Sequence, residues 1–189
     1  MRRAGILRLL GHMAGIAALF VMPHQATAGP GTEQTATGIA VAEIVAPLTV
    51  TAIADLDFGG LALQSSNSGS IALDPASGAA SYSGVRQISC DGSPCSPQPA
   101  RFAIKGIAGR NYRVVLPDSA VANPIEGNGA GLLVSAISSA SANLPGSTDR
   151  GLLDPDGNDL LQVGGRLDVP AGTTPGHYVA QLHVVVSYD

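Results

Sequence analysis

Residues 176–188, GHYVAQLHVVVSY, alternate between apolar and polar side chains more regularly than any other part of the sequence. One face of this stretch carries Tyr178, Ala180, Leu182, Val184, Val186 and Tyr188. Successive side chains of a β-strand point to opposite faces, so a period of two predicts a strand with one buried side. We therefore expect residues 178–188 to form one long strand that is part of the core.

Eight other segments have the length and apolar content of strands, and clusters of Gly, Pro, Asn, Asp and Ser separate them. They are residues 39–52, 56–64, 70–74, 80–88, 100–107, 111–116, 132–138 and 160–169. This spacing favours an all-β fold, an immunoglobulin-like antiparallel β-sandwich of about 8–9 strands. Residues 117–131 and 140–159 have little periodicity and are predicted to be surface loops.

The best hairpin candidate runs through residues 101–116. Its two segments place on one face Phe102, Ile104 and Gly106, and then Tyr112, Val114 and Leu116. The basic residues Arg101, Lys105 and Arg113 fall on the other face. Because a sheet with one wet face needs apolar residues inside and polar residues outside, we expect the two segments to pair with each other.

The first 28 residues have the features of a secretory signal peptide. Arg2, Arg3 and Arg8 form a basic start, residues 9–22 are mostly apolar, and Ala26 and Ala28 are the small residues of a cleavage site. We predict a helical signal peptide (1–28) cleaved after Ala28, then a flexible amino-terminal arm (29–38) and a β-sandwich domain (39–189). The protein is then secreted, to the periplasm or the cell surface.

Charge and hydropathy exclude two classes of partner. The sequence has 10 Lys and Arg against 14 Asp and Glu, and the basic residues form no run, so nucleic acid is not an expected partner. The apolar stretch at residues 9–22 is shorter than the roughly 20 residues that cross a bilayer. We therefore expect no stable membrane insertion after the signal peptide is removed.

The two cysteines, Cys90 and Cys95, enclose the turn-forming residues DGSP. In an oxidising compartment such a pair favours a disulfide. A metal site is the alternative, but two cysteines without a second Cys or His pair nearby do not complete a tetrahedral set. We therefore predict a disulfide that restrains one loop.

Two glycine-rich or acidic stretches suggest chemistry but do not match the required spacing. Residues 154–159, DPDGND, lack the glycine and carboxylate positions of an EF-hand loop, which favours a solvated turn over a calcium site. Residues 127–131, GNGAG, precede a strand-like run and do not link a strand to a helix, which favours a loop over a phosphate cradle.

No catalytic set is recognisable in the sequence. His177 and His183 are six residues apart on a predicted strand, about 20 Å at the usual rise per residue, so they do not share one metal or one proton relay. No nucleophile, base and orienting group can be named together. We expect no catalytic, metal or cofactor-binding residues, and no enzyme activity.

Several phrases of the sequence, taken in order, resemble a secreted bacterial family, domain of unknown function 4402. They are residues 46–51, APLTVT; 55–59, DLDFG; 100–106, ARFAIKG; 163–167, VGGRL; and 176–178, GHY. The resemblance extends from about residue 40 to Tyr188 and implies no catalytic residues.

The carboxyl-terminal stretch also resembles, more distantly, that of chaperone-assembled pilus subunits. In those subunits alternating apolar residues accompany a penultimate Tyr and a Gly near the fourteenth position from the end, which Tyr188 and Gly176 match. The resemblance implies a pilin-like sandwich completed by a strand from a chaperone or from the next subunit. The chain lacks the widely spaced cysteine pair common in such pilins.

Under this resemblance residues 35–45 are the candidate donor arm, with Ile39, Val41 and Val45 as alternate apolar contacts. The simpler interpretation is that residues 39–52 form the first strand of a self-complete domain.

The sequence leaves two functions open. The first is a structural or interaction protein, a fimbria-like surface subunit assembled by strand pairing with other copies of itself or with a periplasmic chaperone. The alternative is a monomeric binding module for carbohydrate or another envelope component, with residues 117–131 and 140–159 as its recognition surface.

Overall fold

The computed structural model describes residues 39, 41–64, 67–90 and 93–189, with the main chain alone for residues 90, 93 and 94. The predicted signal peptide, its cleavage site at Ala26 and Ala28, and the arm 29–38 lie outside these residues. The chain divides into two units, Met1–Ala42 and Glu43–Asp189, and every strand that the structure describes belongs to the second. The described residues include no helix, and therefore none that is long and apolar enough to cross a membrane.

The described part of the chain is all-β and antiparallel, as predicted. Its strands are β1 (Thr49–Ala54), β2 (Leu61–Leu63), β3 (Gly69–Leu73), β4 (Ala80–Ser83), β5 (Val85–Gln87), β6 (Ser89–Cys90), β7 (Ser93–Pro94), β8 (Ala100–Lys105), β9 (Asn111–Val115), β10 (Ser119–Pro124), β11 (Leu132–Ser141), β12 (Arg150–Leu152), β13 (Asn158–Val169), β14 (Tyr178–Val179) and β15 (Val185–Tyr188).

Two sheets form the sandwich. The larger has eight strands, with β1-β8-β13-β11-β10-β14 in order and with β3 and β4 joined to it through β13. The long strand β13 pairs with β11, and also with β8 over residues 158–163 and with β3 over residues 165–169. The smaller sheet has the order β12-β9-β15, and β2-β5 and β6-β7 are separate two-stranded pairs.

The apolar core consists of two clusters along the larger sheet. The first cluster contains Ile71, Val85, Ala122, Leu132, Val134, Leu167 and Val169, with the β2-β5 pair against it. The second lies between the two sheets and contains Ile104, Tyr112, Val114, Leu153 and Leu161. Full burial of one such aliphatic side chain contributes about 1.5–3 kcal/mol, so both clusters contribute substantially to the stability of the sandwich.

The predicted pairing of residues 101–107 with 111–116 is wrong, although the predicted faces are confirmed. Strand β8 belongs to the larger sheet and β9 to the smaller. The link between them is bonded to another turn: Gly106 N donates to Gly157 O at 2.9 Å, and Gly109 N donates to Leu153 O at 3.1 Å. The connection therefore crosses from one sheet to the other and does not close a hairpin.

Other differences concern the strand boundaries. The predicted first strand, 39–52, begins only at Thr49, and the predicted loops contain β10 and β12. The predicted strand 80–88 is divided at Gly84, whose φ of 67° lies in the left-handed region that favours glycine. The sandwich is therefore built from more and shorter strands than expected.

Candidate functional site

The carboxyl-terminal segment connects the two sheets. Tyr178 and Val179 pair with Pro124 and Asn123 of β10, at the end of the larger sheet. Residues 185–188 pair with β9, in the smaller sheet. Between them residues 180–184 belong to no strand. The prediction of one strand over residues 178–188 is therefore wrong in its continuity, because the two ends of the segment pair in different sheets.

The predicted alternation of this segment is nevertheless confirmed along its whole length. The inward side chains are all half-buried: Tyr178, Ala180, Leu182, Val184, Val186 and Tyr188. The intervening residues, including His177 and His183, are exposed. The first cluster of the core receives Tyr178 and Ala180, and the second receives Val184, Val186 and Tyr188. One segment therefore covers both clusters.

Gly176, which also matched the pilus-subunit pattern, lies in open space. It is exposed, its φ is not in the left-handed region, and a Cβ at this position would meet no atom within 4 Å. Nothing in the structure explains a glycine at this position.

Tyr188 joins the end of the segment to the beginning of the domain. Its hydroxyl accepts a hydrogen bond from Ile107 N at 2.8 Å and donates one to Ala46 O at 3.2 Å. The guanidinium of Arg110 lies over its ring, 5.6 Å from the centroid. The chain preceding β1 is therefore attached to β15 at Ala46.

The residues before Ala46 carry uncovered aliphatic side chains. Ile39 is 90% exposed, Val41 is 89% exposed and Ile44 is 96% exposed, and Val45 is also exposed. None of the described residues between 39 and 48 belongs to a strand. The structure thus leaves Ile39, Val41 and Val45 outside any sheet, and it adds Ile44, which the sequence reasoning had not selected.

A buried carboxylate is the polar group that sequence reasoning missed. Asp159 is only 7% exposed and lies on β13. Its Oδ2 accepts hydrogen bonds from the hydroxyls of Tyr112 at 2.7 Å and Ser141 at 2.5 Å. Its Oδ1 accepts from the main-chain N of Leu160 at 2.8 Å and of Asn143 at 3.2 Å.

This network joins three strands and is fully hydrogen-bonded. The pKa of Tyr112 is raised, first by burial and then by the hydrogen bond to Asp159. Tyr112 is itself completely buried, so the network is inaccessible to a substrate and its role is structural. The signal for it was the alternation of β13, since Asp159 shares its inward face with Leu161 and Val163.

The acidic stretch that ends at Asp159 forms a turn. Asp154 Oδ1 accepts hydrogen bonds from Asp156 N at 2.9 Å and Asn158 N at 2.8 Å, and Gly157 has a φ of 79°. A side-chain oxygen that binds the main chain two residues further on is typical of an Asx turn. Within the described residues no three His, Cys, Asp or Glu side chains are grouped so as to hold a metal ion.

The predicted cysteine loop lies at β6 and β7, where Cys90 pairs with Ser93 through the main chain. The disulfide between Cys90 and Cys95 stays a prediction, because the side chain of Cys90 lies outside the described residues.

Two open clefts mark places where the strands diverge. The larger, of about 530 Å³, separates β10 from residues 179–183, and His183 is the only titratable side chain lining it. The smaller, of about 400 Å³, lies between β9 and the irregular part of β11. There Ala136 has a φ of 47°, and the register with β13 shifts between Ser135 and Ser138. Neither lining places a nucleophile, a base and an orienting group together.

A comparison of the sequence with family models finds a match that includes the strands of both sheets. The model described as Domain of unknown function (DUF4402) matches residues 48–188. The chain belongs to DUF4402. The match begins at Leu48 and ends at Tyr188, so it includes the buried network and the terminal segment, whereas Ile39, Val41, Ile44 and Val45 precede it. No curated protein and no solved structure matches the chain.

Proposed function

We propose that this DUF4402 protein is an exported structural subunit of a fimbria-like kind, which associates with other copies of itself or with a periplasmic chaperone through strand pairing. Strand pairing needs an unpaired segment with alternate apolar side chains and an open sheet edge to receive it. The chain offers both features at its amino-terminal side.

The observation that carries this proposal is the exposed aliphatic segment before Ala46. Ile39, Val41 and Ile44 are each about nine-tenths exposed, and none of these residues pairs in a sheet. Apolar side chains exposed together cost free energy in water unless a partner covers them. A subunit that donates this segment to a neighbour would cover the apolar side chains on the inward face of the added strand.

Export is part of the proposal. The basic start, apolar stretch and small residues Ala26 and Ala28 support a signal peptide cleaved after residue 28. The pairing of β6 with β7 supports a disulfide between Cys90 and Cys95 in the oxidising compartment that the protein would enter. The alternating segment that ends at Tyr188, with Gly176 before it, supports the likeness to pilus subunits.

The test compares the exported chain starting at residue 29 with a chain starting at residue 46. Sedimentation velocity measures the size of each, and circular dichroism checks that both retain the sheets. We expect the longer chain to form oligomers and the shorter one to stay monomeric. Equal masses for the two folded proteins would contradict the proposal.

The alternative is a monomeric binding module, and the 530 Å³ cleft between β10 and residues 179–183 is the observation that favours it. The expected recognition loops support it less, since parts of both belong to strands. A folded monomer with and without the arm, together with binding of an envelope polysaccharide that Gln181→Trp blocks, would favour the module over the subunit.

A further inference from the structure

Among the described strands, β1 is the longest of those that pair on one side only. β1 pairs with β8 on one side only and has six residues, whereas β4 and β15 have four and β12 has three. Five of its six residues are exposed, including Val50 and Ile53. Edge strands normally carry charges that discourage pairing with another chain, and β1, TVTAIA, has none.

The inward face of β1 is also incompletely covered. Val50 lies opposite the fully buried Ile104 and so points to the second cluster of the core, yet it is 37% exposed. A further strand beside β1 would cover the flank of Val50 and would extend the core. The sandwich is thus open at the edge where β1 ends the sheet.

The segment before β1 cannot cover this edge within its own chain through a tight hairpin. A two-residue hairpin turn needs a positive φ at its first central residue, and Pro47 holds φ near −65°. Leu48 packs against the second cluster, and Ala46 is bonded to Tyr188. The chain is therefore held on both sides of Pro47, and residues 39–46 form no strand beside their own β1 in the part of the chain that the structure describes.

A second copy can supply a strand beside β1, and this strand carries an acidic residue on the face where β8 carries a basic one. In an antiparallel register that sets Ile44 opposite Ala52 of the second copy, Ile44 points to the core, because Ala52 lies opposite Phe102. Glu43 then lies opposite Ile53 and points outward, on the same face as Arg101, which pairs with Ala54 on the other side of β1. Glu43 is the only charged residue in positions 39–54, and in the described structure neither it nor the exposed Arg101 forms a salt bridge.

We infer that residues 43–46 of one copy pair with the free edge of β1 in a second copy, with Ile44 beside Ala52 and Glu43 on the outer face that also carries Arg101. This inference rests on the proposed function, since it names the acceptor edge for the donated segment. The pairing continues the larger sheet beyond β1, and every neighbouring pair in that sheet is antiparallel.

Cysteine cross-linking between two populations of the full chain tests the acceptor. One population carries Ile44→Cys and an affinity tag, and the other carries Ala52→Cys without a tag. Opposed residues of antiparallel strands have Cα atoms about 4.5–5.5 Å apart, within the range of a disulfide. Mild oxidation and peptide mapping should find the 44–52 link in tagged heterodimers. The matched control is Ser187→Cys, which is also exposed and lies on the edge strand β15.

The outcomes separate this inference from the proposed function. A 44–52 link at least several times more abundant than the 44–187 link supports the β1 edge. A preferential 44–187 link, or equal yields, overturns this acceptor and leaves arm-dependent assembly intact. No link between copies overturns the inference, and an oligomer mass that does not depend on the arm overturns the proposed function as well.

A charge-reversal cycle gives an independent measurement. Glu43→Arg and Arg101→Glu should each weaken association about twofold to fivefold, the range for an exposed ion pair, and the double variant should recover most of it. Both side chains are exposed, so neither change should alter the melting temperature. If the double variant associates no better than the single ones, the two side chains do not interact across β1, which contradicts this register.

Discussion

The hydroxyl of Tyr112 on β9 donates a 2.7 Å hydrogen bond to Oδ2 of Asp159 on β13, and this bond joins the smaller sheet to the larger. Tyr112 is completely buried and Asp159 nearly so. A buried charge is tolerated when hydrogen bonds satisfy it, and Asp159 accepts four from two hydroxyls and two main-chain amides. At Tyr112 the two sheets are therefore joined both by apolar packing and by a hydrogen bond.

Replacing Tyr112 should destabilise the sandwich through this bond. Tyr112→Phe keeps the ring in the core but removes one donor from a buried carboxylate, so we expect a loss of about 1.5–3 kcal/mol in the free energy of unfolding. Urea denaturation followed by far-ultraviolet circular dichroism measures it. The control is Tyr82→Phe, whose exposed hydroxyl donates to Gln87 at 3.2 Å. A Tyr112→Phe loss no larger than the control would contradict a bridging role for this hydroxyl.

The Tyr112 hydroxyl should make the free energy of unfolding depend on pH in the alkaline range. Burial and Asp159 raise the pKa of Tyr112 above its ordinary value of 10.0 in the folded protein. The protonated hydroxyl is thus favoured by folding. Its contribution is complete below about pH 10, the pKa in the unfolded chain, and is lost progressively as the pH rises from there toward the higher pKa of the folded protein. The difference in unfolding free energy between the native protein and Tyr112→Phe should shrink from about pH 9 to 11. A difference that stays constant over this range would argue against the raised pKa.

Local features of the fold could be predicted from the sequence because they depend on neighbouring residues. The inward positions of Ile104, Tyr112 and Val186 follow from a period of two, and the structure confirms each of them. The turn at Asp154 also follows from residue types that favour turns. These patterns identify the faces of strands without identifying their partners.

Strand partners could not be predicted, because they are decided by contacts between distant residues. The link between β8 and β9 has the glycine and asparagine of a hairpin loop, yet Gly106 and Gly109 bond to the turn at residues 153–157. Asp159 was interpreted as the last residue of a solvated turn, because its burial depends on Tyr112, 47 positions away. The exposure of Ile44 similarly could not be predicted, because it depends on the first strand beginning at Thr49 and not at residue 39.

Gly151 should tolerate no side chain, because it lies against the Tyr112 ring. A Cβ at this position would overlap the ring and hydroxyl of Tyr112, which is fixed by the bond to Asp159. We expect Gly151→Ala to lower the free energy of unfolding by about 1–3 kcal/mol, the usual cost of overpacking a core. Thermal and urea unfolding both measure this change.

Gly176→Ala is the matched control, since it adds the same methyl group in open space. Its stability should change by less than about 0.5 kcal/mol. Equal effects of the two substitutions would show that the close approach of Gly151 to Tyr112 is not what makes a side chain unfavourable. Loss of oligomers in a stable Gly176→Ala protein would instead assign this glycine to assembly.

Removing the Tyr188 hydroxyl should loosen the attachment of the chain before β1. In Tyr188→Phe the ring and its contact with Arg110 remain, while Ile107 N loses its acceptor and Ala46 O loses its donor. The expected cost is about 0.5–1.5 kcal/mol, with faster hydrogen exchange at the Ile107 amide.

Tyr178→Phe is the control, because its hydroxyl donates only to Thr174 O, four residues away. Because Ile107 is 81 positions from Tyr188, an exchange rate at Ile107 that responds to Tyr188→Phe and not to Tyr178→Phe would report this long-range contact specifically. An unchanged rate in both variants would contradict the attachment of Ile107 through the Tyr188 hydroxyl.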